Sequence, residues 1–114
     1  MRGFRNLVVW KEAHKLTLMI YQVTSSFPVE ERFGIVSQLR RAAYSIESNI
    51  AEGSCRKSRK DQNHFYSIGM SSLSEVDNFL ELSHDLSYLK DPPYKELLDQ
   101  VNKVAYLLSH LIHY

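Results

Sequence analysis

Four stretches of the chain repeat apolar residues at helical spacing, and none sustains an alternation of two. The first carries Leu7, Trp10, Ala13, Leu16 or Thr17, Ile20 and Phe27, and the second Ile35, Leu39, Ala42 or Ala43, Ile46 and Ile50. The third carries Phe65, Ile68, Ser72, Val76, Phe79 and Leu86. The fourth, the most regular, carries Leu97, Val101, Val104 or Ala105, Leu108, Leu111 and Ile112. Each is one apolar stripe, so each helix needs neighbours to cover it. With 114 residues, 44% of them hydrophobic, residues 1–114 are expected to form one domain around one core.

The breaks between stripes are short. Pro28 disfavours helical geometry at Phe27 and starts a new turn, where Glu30 and Glu31 suit the positive end of a helix. Gly53 is expected to be a left-handed stop for the second helix. Ser58 with Asp61 three residues on reads as a capping box for the third. Asp91 before Pro92 and Pro93 is expected to cap the fourth, with proline at its first position. Short connections make sequential helices antiparallel neighbours. The expected fold is all-α, an antiparallel up-down-up-down four-helix bundle.

A net charge of +1 conceals a split: residues 1–60 hold eleven Lys/Arg against five Asp/Glu, and residues 61–114 hold three against eight. Antiparallel order gathers Arg2, Arg5, Arg56, Lys57, Arg59 and Lys60 at one end of the bundle, joined by His110 and His113. Glu30, Glu31, Asp85 and Asp91 go to the other end. A charge run is most often a solvated face. Against that, Arg59 and Lys60 occupy a first helical turn, where the helix dipole disfavours cations by some tenths of a kcal/mol each. Ser58 to His64 also lacks an apolar residue, so this turn is expected to overhang the core. A helix N-terminus ringed by cations suits phosphate. Arg40 and Arg41 extend the positive surface along the second helix, with Tyr44 one turn away and able to stack on Arg40. Glu75 is the alternative partner for one of the two arginines. These eight cations are the candidate contacts to RNA or DNA. No helix-turn-helix, aromatic ribonucleoprotein motif or zinc module accompanies them, so base-specific reading is not expected.

Catalytic patterns are weak. A dinuclear metal site in a four-helix bundle needs two Glu-x-x-His motifs and two further glutamates; only Glu81 and His84 supply one such motif, which reads as a surface pair. His110 and His113 lie in the last turns, where a cation suits the dipole. The glycines, at 3, 34, 53 and 69, form no phosphate-binding loop. Cys55 has no histidine partner at readable spacing. No catalytic residue, metal ligand or cofactor is expected, and a protein–protein adaptor is the alternative to nucleic-acid binding. The lone cysteine, the lack of a basic leader ahead of an apolar run and the lack of a bilayer-length apolar stretch make the cytoplasm the expected compartment.

Trp10 and Ala13, Phe27 and Pro28 followed by Glu31, the Gln38–Ala43 run, and Asn49–Gly53 together resemble the four-helix bundle proteins encoded in 23S ribosomal RNA intervening sequences. Ser72, Leu73 and Glu75 continue the likeness, which spans nearly the whole chain. Glu47 stands where that family often has proline, which implies a straighter second helix; Gly69 and Ser71 stand where alanine and glycine are usual. The resemblance implies a homopentamer without established enzymatic activity. A similar protein, the accessory variability determinant of diversity-generating retroelements, is a basic pentameric bundle that binds nucleic acid and associates with a reverse transcriptase. By that likeness Arg40 and Arg41 would carry a nucleic-acid role. The Arg56–Lys60 cluster rests on local charge alone. Five copies of one basic corner on a ring would form a multivalent surface.

Overall fold

A computed structural model describes residues 3–112, which leaves Arg2 and His113 outside the described part. After a 3-10 turn at Gly3–Asn6 the chain forms α1 (Val8–Thr24), α2 (Ile35–Ser54), α3 (Arg59–Asp85) and α4 (Pro93–Leu111). No strand occurs among the described residues. Each helix packs on two others, α1 on α2 and α4, α3 on α2 and α4, which places the four around a common core. Contacts between consecutive helices run in opposite directions along the chain: Arg40 meets Tyr21 while Glu47 meets His14, and Ser72 meets Ser45 while Tyr66 meets Gly53. Leu16, Ile20, Leu39, Ile46, Ile50, Val76, Leu80, Leu97, Val104 and Leu108 fill the centre.

The stripes of α1, α2 and α4 bury most of the expected residues, with Leu7, Trp10 and Leu111 half-buried, whereas α3 keeps Ser72 and Val76 buried but is otherwise turned. Its buried face is Tyr66, Gly69, Ser72, Leu73, Val76, Leu80 and Ser83, whereas Ile68 and Leu86 are exposed. Bulk misleads here because α3 lies close against α2 through small residues. At Gly69 a Cβ would stand 3.6 Å from the Ile46 carbonyl oxygen, and the Ser45 and Ser72 hydroxyls meet at 2.9 Å. Hydrophobicity alone selects the larger neighbours.

Three connections differ from the sequence reading. Gly53 is no left-handed stop: no described glycine has positive φ, and α2 runs through it to Ser54. Glycine is needed there because the Tyr66 ring occupies the space a Cβ would take, 2.6 Å from its position. After Pro28 comes a 3-10 turn at Val29–Glu31, and α2 starts only at Ile35, whose N–H donates to Glu31 Oε1 at 3.3 Å. At α4 the cap position is Pro92 with no side-chain cap, since Asp91 is drawn to His84 and Lys95, at 3.8 and 3.9 Å. Ser58 does cap α3, its Oγ accepting from the Asp61 N–H at 3.1 Å. α3 ends at Asp85, and two residues on Ser87 takes the left-handed conformation (φ 64°) more usual for glycine, while the Tyr88 N–H reaches back to the Ser83 carbonyl at 2.9 Å.

α4 is tied to α1 by a polar contact inside the apolar seam. Buried Gln100 donates through Nε2 to the Glu12 carbonyl and to Glu12 Oε1, at 2.9 and 3.0 Å. That bond holds the Glu12 carboxyl below its ordinary value of 4.5, against the opposing effect of burial, with Lys103 assisting. A depressed carboxylate adds stability that is present above its unfolded pKa and is lost as pH falls through the folded one. In urea titrations the gap between the native midpoint and that of Gln100→Leu is therefore expected to be full at neutral pH and to narrow below the glutamate range. A gap constant down to strongly acid pH would contradict this assignment.

Candidate nucleic-acid interface

The C-terminal end of α2 and the start of α3 meet in a tight, polar connection. Cys55 to Asp61 are all exposed, so the overhang read over Ser58–His64 is present in its first turn, while Gln62 and Asn63 are half-buried. Its shape is fixed from within: the Arg56 carbonyl accepts from Gln62 Nε2 at 3.0 Å, and Ser58 caps the new helix. The Arg56 guanidinium lies 4.7 Å over the Phe65 ring and 2.8 Å from Glu52 Oε2. Arg56 is thus partly committed, though both partners are at the surface and such pairs are weak. Among the described residues Arg5, Lys57, Arg59 and Lys60 form no ion pair. Arg5 is exposed in the N-terminal 3-10 turn, which packs on α1 and α2. His110, also exposed, holds the Tyr106 carbonyl through Nδ1 at 2.8 Å.

Arg40 and Arg41 do not join this surface. They lie in the second turn of α2, about 15 residues and so roughly 20 Å along the helix from its basic end. Arg40 stacks on Tyr21 at 4.4 Å, not on Tyr44, and makes no ion pair with Glu75. Its Nε donates to Thr24 Oγ1 at 2.9 Å and its Nη2 to the Tyr21 carbonyl at 3.3 Å. A cation there meets the negative end of α1, which explains the choice better than an exposed partner would. Arg41 is exposed. The eight candidates therefore divide into a corner of five, a distant pair, and Arg2 outside the described residues.

At the acidic end Glu31, Asp85 and Asp91 have partners of their own. Glu31 Oε2 accepts from the Tyr88 hydroxyl at 3.0 Å, and this bond raises the tyrosine's pKa above its ordinary value. His84 approaches Asp85 and Asp91 at 3.9 and 3.8 Å and stacks on Tyr94 at 4.0 Å; its partner is not Glu81. No group of three His, Cys, Asp or Glu among the described residues is placed to hold a metal ion.

Sequence reasoning missed the pairing of His14 with Glu47. Nδ1 of His14 lies 2.8 Å from Glu47 Oε2, and the imidazole stacks on Trp10 at 4.9 Å with 9° between planes. The other carboxylate oxygen, Oε1, is buried without a hydrogen-bond partner. The two residues stand 33 apart on different helices, and neither lies in a pattern that links them. Glu47 does sit within an unbroken α2.

The family model described as 23S rRNA-intervening sequence protein matches residues 5–110. Among solved structures, the chain is similar to a protein of unknown function from the S23 ribosomal protein family of Bacteroides thetaiotaomicron VPI-5482. The two share 24% identity and superpose with a TM-score of 0.84, covering 92% of this chain and 95% of that one, a likeness of fold. No curated protein matches the chain.

Proposed function

We propose that this chain, which belongs to the 23S rRNA-intervening sequence protein family, is a non-catalytic, oligomeric bundle that binds nucleic acid by phosphate contacts at its basic corner. The observation that carries this reading is the exposed Cys55–Asp61 connection, where Lys57, Arg59 and Lys60 surround the start of α3 without carboxylate partners. Helix stability does not favour cations at that position, whereas an anionic ligand does. Contacts of this kind position a polyanion and carry no sequence information. Assembly into a ring, with a pentamer the expected form, would repeat the corner and raise avidity without new contacts. A reverse transcriptase is the protein partner the reading allows.

The test is binding of the native protein to a structured RNA across a salt series, with a second RNA of scrambled sequence beside it. A steep fall of affinity with salt, equal for both RNAs, is expected. Affinity independent of salt would overturn the reading. A second reading, a protein-binding adaptor, has its own support at the far end, where Phe33 is 88% and Val29 75% exposed. Absence of RNA binding at low salt would favour it.

A further inference from the structure

Between the N-terminal turn and the end of α2 lies an open cavity of about 430 Å³, lined by Gly3, Phe4, Leu7, Ser54 and Cys55. We infer that this cavity receives one unstacked base of a single-stranded nucleic acid whose flanking phosphates rest on Arg5 and on the Arg56–Lys60 run. The inference rests on the nucleic-acid reading above and names the form of ligand that the corner takes.

The lining suits a flat, weakly polar ring. Phe4 and Leu7 offer apolar surface, and the Ser54 hydroxyl is already committed to the Ala51 carbonyl at 2.7 Å. Among the lining side chains only the Cys55 thiol is then left to read a base edge, which agrees with stacking that tolerates any base. The Phe4 ring is held in place, edge-on to Trp10 at 5.1 Å, and Trp10 is in turn stacked on His14. An aromatic fixed in advance loses little freedom when a base covers it. Among the described residues the mouth is open at Gly3, where no atom apart from its chain neighbours lies within 4 Å of a would-be Cβ. The volume falls within the range of small-ligand sites.

Charge selects a polymer over an isolated base. The chain leaves the cavity into cations on both sides, from Phe4 to Arg5 and from Cys55 to Arg56 and Lys57. A largely apolar cleft whose lining residues are followed in the chain by cations on both sides matches a base flanked by two phosphates. Bases within a duplex are paired and stacked, so a duplex presents only its backbone here.

Cys55 provides the readout, because it is the only cysteine, is exposed and lines the cavity. Its alkylation by iodoacetamide is followed by intact mass on the full chain, with a short single-stranded RNA, a duplex of the same length, or adenosine monophosphate present. The single strand is expected to slow alkylation several-fold, and the duplex and the mononucleotide are not. Phe4→Ala, checked for an unchanged melt, is expected to weaken single-strand binding about tenfold, the value of one base–aromatic stack, and to leave duplex binding as it was. If single strand and duplex both bind with steep salt slopes but leave the alkylation rate unchanged, or shield Cys55 equally, the cavity assignment falls and the phosphate corner stands. Equal protection by the mononucleotide overturns the polymer assignment. If no RNA binds at low salt, the inference and the reading beneath it fall together.

Discussion

Gly53→Ala is expected to destabilise the protein by about 1–3 kcal/mol, while the same substitution at Gly69 stabilises it by about 0.5–1 kcal/mol. Both glycines are helical and buried. Helix propensity favours alanine at each, by up to about 1 kcal/mol in a helix interior and less at Gly53, one residue from its helix end. Space decides the sign. At Gly53 a Cβ would stand 2.6 and 2.8 Å from two carbons of the Tyr66 ring and 3.2 Å from the Gln62 carbonyl oxygen. Tyr66 is only 4% exposed, so its ring has nowhere to retreat without moving α3. Burial also raises that hydroxyl's pKa, with nearby Cys55 adding to the shift. At Gly69 the nearest atoms are 3.6–3.7 Å away, ordinary contact distances. Thermal melts at equal protein concentration check both; a Gly53→Ala protein more stable than the native would show that α2 and α3 are not locked through Tyr66.

How far the sequence revealed this molecule follows from what each signal depends on. Stripes of leucine, isoleucine and valine on α1, α2 and α4 depend on local period alone, and the family resemblance ran through the same helix-two residues. On α3 the expected stripe includes Ser72 and Val76, which are buried, but not Gly69 and Ser83, which pack by being small, a property hydrophobic patterning does not register. Gly53 illustrates the same limit: glycine near a helix end suggests a stop, but the cause lies in Tyr66 on another helix. Local charge located the basic connection at residues 55–61, because neighbouring residues carry it. Arg40 was not assignable that way. Its partners, Thr24 and Tyr21, are brought to it by the α1–α2 packing. The same packing creates the His14–Glu47 pair and the cavity under Phe4.

The second large effect concerns the corner itself. With Arg56, Lys57, Arg59 and Lys60 replaced by alanine, RNA affinity at moderate salt is expected to fall on the order of 10- to 100-fold. Arg56 should contribute least, since Glu52 and Phe65 already hold it. Folding is expected to survive. The variant loses one exposed ion pair and the contact of Arg56 with the Phe65 ring, both at the surface and of little worth, and it relieves Arg59 and Lys60 of an unfavourable helix dipole, worth some tenths of a kcal/mol each. A binding loss in a protein whose melt is unchanged or slightly raised therefore separates a ligand site from a structural one.

The direct measurement is the slope of log affinity against log salt for the native chain and this fourfold variant on one structured RNA, with the mass of both assemblies determined alongside. At unchanged mass, the account predicts a slope shallower by about two to three in the variant, the signature of lost phosphate contacts. Equal slopes and equal affinities would contradict it and leave the corner a solvated face.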